Sequence, residues 1–550
     1  MSRGRNAASL RSLEDAIPEL PSSWARARLG ELLRLQAGYA FKSKWFVDDG
    51  VRLLRGTNIE PGGTRWDDTV YLPHDQAADF ERFRLAEGDL VIAMDRPVIS
   101  TGLKVARLAD GDVPALLLQR VGRFLLADEG LAPDLLHAYL NSPRFMEHIG
   151  ATATGTQLPH ISGTDIETAP IAVPPLNEQR RIVAKIDALQ ARSRRAREAL
   201  DAVPALLDRF RQSVLAAAFR GDLTADWRAK HPDVEPASAL LERIRAERKV
   251  RWIEAETEKA RARAEARARK KGQAWGPEQD AKAVASARKK AEKKYTAPEP
   301  VDAEAEGLPE LPEGWCWASF EELSFELRSG TAQRADSTPT AHPVLRSSAV
   351  RHGHLYLNDV RYLAEEPKEQ DYIVDGDLLF TRLSGTLDYV GNCAIVEGIT
   401  ASLAYPDRLF RARMVDAVVP GLLPLAFECR PLRATMENAA KSSAGHQRIS
   451  QSDLLAYRIP VPPPQEQAAL LRQVVEVSAP SVHVGAAAVN LVPQLDMLDQ
   501  SILAQAFRGQ LVPQDPDDEP AADLLERIKA ECEAAGQRGK ARWPRGGRAR

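Results

Sequence analysis

The chain has 550 residues, more than one hydrophobic core serves, and 44 % of them are hydrophobic, so several globular domains are expected and a disordered chain is not. No apolar run is long enough to span a bilayer, the N-terminus lacks the apolar core of a secretion signal, and Cys316, Cys393, Cys429 and Cys532 are scattered, which together predict a cytoplasmic protein without a disulfide framework or a zinc site. The formal net charge of −3 argues mildly against nucleic-acid binding, so a DNA-binding reading has to rest on local patches or on a basic partner.

Residues 1–20 read as a polar tail. Leu20-Pro21-x-x-Trp24 then opens a globular segment assigned to 21–175, and Leu311-Pro312-x-x-Trp315 opens a second, assigned to 308–463. The landmarks recur in the same order. Leu54–Asn58 matches Leu345–Ala349, and Gly88-Asp89-Leu90-Val91-Ile92 matches Gly376-Asp377-Leu378-Leu379-Phe380, a turn leading into a short apolar strand. Leu135-Leu136 with Pro143 matches Leu423-Pro424 with Pro431, a helix broken by proline. Gly155-Thr156-Gln157 matches Gly445-His446-Gln447. Short strands mixed with one or two helices predict an α+β domain, present twice.

Each segment ends on a Pro-Pro stop, Val173-Pro-Pro-Leu-Asn-Glu-Gln179 and Val461-Pro-Pro-Pro-Gln-Glu-Gln467, shifted by 288 residues. Proline cannot continue a strand ladder and pre-sets φ for a helix start. A heptad follows in each half, Ile182 through Phe210 to Val214 and Leu470 through Val484, Leu491 and Leu498 to Ile502, with the alternating four- and three-residue steps of a coiled-coil seam. Pro204, Pro480 and Pro493 predict kinks or interruptions in these helices, long helices with breaks rather than one rigid rod. The seams end alike, in Ala218-Phe219-Arg220-Gly221 and Ala506-Phe507-Arg508-Gly509, each with a glycine stop. A third helix follows in each half, Glu235–Glu247 and Glu519–Glu531. These helical regions are assigned to 176–249 and 464–535. Between them, 250–307 has no counterpart: it reads as a charged helical hairpin with a break at Gly276-Pro277, or as a partly disordered stretch, followed by an acidic linker. Residues 536–550 read as a basic tail.

The paired arrangement resembles the specificity subunit of type I restriction–modification enzymes. The resemblance rests on Pro174-Pro175 with Glu178-Gln179, Pro463-Pro464 with Glu466-Gln467, and the two Ala-Phe-Arg-Gly endings, and it covers about residues 20–247 and 311–531. It implies two target recognition domains, each reading one half of a bipartite, asymmetric site in double-stranded DNA. It implies long antiparallel coiled-coil helices that hold the domains apart and dock two methyltransferase subunits, with restriction/translocase subunits joining them. The chain itself would be non-catalytic and hold no cofactor; S-adenosylmethionine, ATP and magnesium would sit on the partners. A seam of roughly 33 residues spans about 50 Å at 1.5 Å per residue, enough to set half-sites about one duplex turn of 34–36 Å apart.

Base edges are read by side chains such as Arg, Lys, Asn and Gln on loops that let the backbone come close. In the first domain the candidates are Arg55, Thr57 and Asn58; Arg96, Thr101 and Lys104; and Thr156, Gln157 and His160. In the second they are Arg346 and Ser347; Arg382, Ser384 and Thr386; and His446, Gln447 and Arg448. Half or more of protein–DNA hydrogen bonds go to phosphate and sugar, so many of these side chains are expected to position rather than read. Gly88-Asp89 and Gly376-Asp377 read as turns, Trp24 and Trp315 as core anchors, and His352-x-His354 as surface loop rather than a metal pair. The sequence shows no [DN]-P-P-[YF] methyltransferase motif, no P-loop and no nucleophile elbow. The competing reading is a duplicated coiled-coil scaffold whose heads bind protein.

Overall fold

The computed structural model describes residues 17, 19–126, 130–153, 159–351, 353–415, 421–443 and 446–539. The chain divides into two compact units that are not consecutive stretches of sequence. One comprises Met1–Asp201 with Ala488–Arg550, the other Ala202–Ala487.

In the first unit, Ala25–Arg28 pairs antiparallel with Pro170–Val173, so the globular segment closes on itself where the chain enters and leaves it. A four-stranded antiparallel sheet has the order Val105–Arg107, Leu90–Ala93, Val121–Leu126, Leu33–Ala37. A second sheet runs Val70–Leu72, Val51–Leu54, Ala115–Leu117, Arg84–Leu85, with a parallel central pair. Leu90, Ile92 and Val105 face one core, and Val91, Ala93 and Ala106 face another, the alternation expected of strands buried on both sides. The predicted proline-broken helix is two helices, Pro133–Leu140 and Pro143–Thr152, each with proline in its first turn where no hydrogen bond is lost.

The second unit repeats this plan. Cys316–Ser319 pairs with Arg458–Val461, and the sheet order Ser324–Ser329, Leu409–Met414, Leu378–Thr381, Cys393–Ile395 is that of the first unit. The Gly-Asp turns keep their shape, with φ of 84° at Gly88 and 87° at Gly376. Their aspartates are structural: Asp89 accepts from Arg123 at 3.0 Å and Asp377 from Arg413 at 3.1 Å.

Two long helices, Leu176–Phe219 and Pro464–Ala506, each run through both units. The sequence predicts breaks at their prolines, but both helices continue unbroken through Pro204, Pro480 and Pro493. A proline deletes a single backbone hydrogen bond, and the flanking bonds of a long helix carry the segment. Within the first unit the helices pair antiparallel: Ile182 and Ile186 share a core with Ile502, Leu503 and Ala506, and Arg197 reaches Asp496 and Asp499 at 2.8 Å. Within the second, Val214, Leu215 and Ala218 share a core with Leu470 and Val474. The predicted seam positions near the helix ends are buried, and Leu207 lies against Gly485, where a Cβ would fall 3.2 Å from its Cδ1; other predicted positions are exposed. Phe210, Val484, Leu491 and Leu498 are 43–50 % exposed, and Val475, Val482 and Val489 beside them more so. The second long helix is also long and apolar enough to cross a bilayer, with a mean hydropathy of 1.2 over a window that is 11 % buried. Ser, His, Asn and Glu punctuate its Val/Ala stretch, so the sequence holds no uninterrupted apolar run of spanning length there.

The third helix of the first half does not stop near Glu247. It continues as Ala237–Lys270 and turns back as Pro277–Lys294, giving the charged hairpin. Its counterpart is Ala521–Gly539.

Candidate nucleic-acid interface

The repeated motifs meet at one joint in each unit. In the first, the motif carboxylate Glu178 is fully buried and accepts from Trp24 Nε1 at 2.9 Å and Gln514 Nε2 at 2.6 Å. In the second, Glu466 accepts from Trp315 Nε1 at 2.9 Å, Thr224 Oγ1 at 2.6 Å and Arg228. Burial pushes the Glu178 carboxyl up, against the pull of its two donors. The neighbouring Gln179 accepts from the Ala132 backbone at 2.9 Å and donates to Pro174 O at 3.2 Å; Gln467 donates to Pro462 O at 3.0 Å. The seam-ending glycines complete the joint. Gly509 (φ 70°) lies against Pro21, and Gly221 (φ 77°) against Pro312; a Cβ there would sit 2.4 and 2.5 Å from the proline Cγ. The Pro-Pro-x-x-Glu-Gln, Leu-Pro-x-x-Trp and Ala-Phe-Arg-Gly motifs are thus three parts of one clamp, which fixes each globular segment on the helices.

Away from the clamp, the predicted loops of the first domain converge through backbone bonds. Met94 N donates to Arg120 O at 2.8 Å, Arg96 N to Pro159 O at 2.8 Å, and Ile161 N to Met94 O at 3.0 Å. Lys104 Nζ reaches Gly56 O and ties in the Arg55–Asn58 loop. The same bonds recur 288 residues on: Arg382 N donates to Arg408 O at 2.9 Å and Ile449 N to Arg382 O at 3.1 Å. The bridge Asp95–His160 becomes the strand pair Leu383–Arg448.

On this shared frame the side chains differ. Thr57, Arg96 and Thr101 are exposed. Arg96 stands at φ 44°, in the left-handed region, which turns it out of the strand direction. Lys104 is half-buried, and burial, helped by Arg96, holds its ammonium below the usual lysine range. Arg55 is braced by Asp68 at 2.8 Å, and Arg346 by Asp359 at 3.2 Å, so each guanidinium is positioned and partly neutralised. Asn58 does not face outward as expected. It is 1 % exposed, its Oδ1 accepts from Arg55 N at 3.2 Å, and its Nδ2 donates to Arg65 O and Asp68 O at 3.0 and 3.1 Å. Its amide shapes the loop and presents no edge to a base.

In the second domain Ser347, Ser384 and Gln447 are half-buried, and Thr386 and Arg448 are exposed. Arg382 donates to Asp407 O at 3.2 Å and lies 5.4 Å above the Phe410 ring. Thr156, Gln157 and His352 lie outside the described residues, as do the side chain of His446 and most of the N-terminal and C-terminal tails.

Sequence reasoning missed one pair. Arg120 and Arg408 occupy equivalent turns ahead of the central strands, both exposed. Arg120 takes φ 68°, and its Nη1 lies 3.0 Å from His160 Nε2, while His160 Nδ1 lies 2.8 Å from Asp95. A proton on Nδ1 directed at Asp95 leaves Nε2 to accept from Arg120. The first domain therefore presents an Asp–His–Arg cluster where the second presents Leu383, Arg448 and Arg408. The 288-residue shift that aligns the Gly-Asp turns and the Pro-Pro stops also pairs Gln119-Arg120-Val121 with Asp407-Arg408-Leu409.

The profile of the type I restriction modification DNA specificity domain matches residues 21–200. The specificity subunit of the type I restriction enzyme EcoKI of Escherichia coli strain K12 is 27 % identical over 538 residues, covering 94 % of this chain and 97 % of that protein. Over nearly its whole length the chain is similar to type I restriction–modification specificity subunits, and residues 21–200 match their DNA specificity domain. The EcoAI specificity subunit of Escherichia coli is 43 % identical over 171 residues, 31 % of this chain and 29 % of that protein. A solved chain from a study of complex assembly and conformational transition in a type I restriction–modification system has the same fold, with a TM-score of 0.57 at 17 % identity, covering 90 % of this chain and 99 % of that one. The duplicated-scaffold alternative finds no support among these relatives of the specificity subunit.

Proposed function

We propose that this chain is a specificity subunit that reads a bipartite, asymmetric DNA site, one half with each globular domain. The observation that carries this is the pair of loop clusters built on one backbone frame and furnished with different side chains, Asp95, His160 and Arg120 against Leu383, Arg448 and Arg408. An ordinary DNA-binding dimer places identical readers about a true two-fold axis and reads palindromes; a duplicated chain with unlike readers has no reason to. Arg120 and Arg408 are positioned for bidentate contact with guanine or for phosphate, the two commonest arginine roles at DNA.

The exposed valine and leucine stripe of the second long helix is larger than scattered surface hydrophobics account for and suits a protein partner. Both ends of this helix are packed into α+β cores, at Leu470 and Val474 and again at Ile502 and Leu503, an arrangement suited to a docking surface in water rather than to a membrane. We assign this stripe to two methyltransferase subunits, which would carry S-adenosylmethionine; restriction/translocase subunits would bring ATP and magnesium. In this reading the chain works in the cytoplasm and supplies no catalytic group.

Single-molecule methylation sequencing of host DNA with and without the gene tests the proposal. Loss of one bipartite, asymmetric adenine-methylation motif is expected on deletion; an unchanged methylome in a host that methylates through the partner subunits would refute it.

A further inference from the structure

The net charge of −3 hides a strong segregation. Residues 259–294, the outer part of the helical hairpin, carry thirteen Lys and Arg against four Asp and Glu, a net of +9, so the rest of the chain carries −12. Five of those cations are held in ion pairs: Lys259, Arg261, Lys282, Arg288 and Lys294. The other eight are exposed and have no ion pair among the described residues. Arg263, Arg267 and Lys270 follow each other at helical steps of four and three, as do Lys289 and Lys293 at a step of four, so each forms a row along one helix face.

The hairpin is firmly rooted. Arg248, 6 % exposed, donates to Glu321 O and Ser324 O at 2.7 and 2.9 Å, and Trp252 meets Tyr295 edge-on at 5.4 Å. Lys259 reaches Glu326 of the recognition-domain sheet at 3.6 Å. Its two helices close on alanines, with Ala287 and Ala291 buried. Between the free cations the outward positions are mostly Ala, Gln and Gly. A protein interface needs a core of aromatic or aliphatic anchors; Trp275 at the turn is half-buried and hydrogen-bonded to Asp280, and the cation rows themselves carry no such anchor. A phosphate backbone needs only positive charge at intervals along a groove or ridge.

We infer that the Ala237–Lys294 hairpin is a sequence-independent duplex-DNA arm, which holds phosphates beside the half-site read by the second domain. The inference rests on duplex DNA being the ligand of the chain and adds to it a clamp that no base contact requires. It resolves the charge objection: the attraction is concentrated in one appendage, while the recognition segments 21–175 and 308–463 carry net charges of −4 and −5.

The test uses the full-length chain and a variant with Arg263, Arg267, Lys270, Lys271, Lys289 and Lys293 all changed to Gln, a good helix former. Binding to a random-sequence duplex is measured from low to moderate salt, with helicity and melting followed alongside. With about 0.9 counterion released per neutralised phosphate, the slope of log K against log salt should shrink by up to about five in the variant. Affinity at low salt should fall by about a hundredfold or more, while the preference for the cognate site over random sequence is kept. A second variant, R263K/R267K, keeps the charge and should keep the slope. An unchanged slope in a folded Gln variant overturns the arm. Loss of partner subunits from the Gln variant with an unchanged duplex slope overturns it in favour of protein docking. Failure of the wild-type chain to bind any duplex overturns the DNA reading itself and the arm with it.

Discussion

Arg120 and Arg408 hold one scaffold position in two different settings. Each leads into a central strand and each is exposed; Arg120 has the imidazole of His160 beside it, held in turn by Asp95. Arg120→Ala should weaken recognition of one half-site and Arg408→Ala of the other, each by about 1–3 kcal/mol if the arginine reads a base. Methylation motifs from hosts carrying each variant would show relaxed sequence at one half-site only; relaxation at both from a single variant would contradict separate readers. His137 belongs to this scale as well. Its Nε2 is buried without a partner among the described residues, and burial holds its pKa below the ordinary histidine value. A depressed folded pKa contributes stability that is present above the unfolded value, about 6.5, and is lost as pH falls through the folded one. The melting temperature of the wild-type chain should therefore drop more steeply below about pH 6.5 than that of His137→Gln.

At the scale of elements, the clamp decides whether a recognition domain keeps its place on the helices. Glu466→Ala removes the acceptor for Trp315, Thr224 and Arg228 at once, within a joint where Glu466 itself is fully buried. Arg228 is 21 % exposed and keeps its bond to Gly221 O at 2.8 Å, so the loss falls on the stranded Trp315 and Thr224 donors. A buried donor left unsatisfied costs about 1–3 kcal/mol, to be read as a shift in the urea midpoint of the full chain. Gly509→Ala is expected to cost about 1–2 kcal/mol from left-handed backbone alone. The contact with Pro21 adds to that, because a new Cβ would fall 2.4 Å from Pro21 Cγ. In the sheet of the second unit, the fully buried Arg411 answers Glu326 at 2.5 Å and Tyr372 O at 3.0 Å. It fills the register position that Arg123 holds in the first unit, where Arg123 pairs with Asp89. The strand frame is thus tied by arginine–carboxylate pairs in both halves, and the exposed arginines one turn away are free to vary in role.

For the whole molecule, modular reading makes a sharp prediction. Exchange of residues 22–172 for the first recognition domain of another specificity subunit should change one half of the methylated motif and leave the other and the spacer alone. The clamp residues flanking this segment, Pro21 and Glu178, stay in place. Removal of one heptad after Val183 shortens the first long helix by about 10 Å at 1.5 Å per residue, and should alter the spacer or abolish assembly. An unchanged spacer with full methylation would remove the ruler role of the helices.

The sequence by itself determined the duplication, the helix starts at the Pro-Pro stops and the family resemblance. Those features are written in local chemistry: proline at a strand end, heptad spacing, and motifs repeated in the same order at shifts of 288–291 residues. It also located the loops that carry the candidate readers, because turns are punctuated by glycine and polar residues. Tertiary structure decided the rest. Asn58 looked like a reader and proved to be loop framework, since burial depends on the distant Arg65–Asp68 segment that folds over it. Three prolines looked like breaks, yet the helices run through them, because a long helix keeps its remaining bonds. The whole heptad face was expected to be covered, yet Phe210, Val484, Leu491 and Leu498 on it are exposed, since heptad spacing says which face is apolar and not what covers it. The three motifs became one clamp only when residues more than 300 positions apart, Glu178 and Gln514, were brought within 2.6 Å.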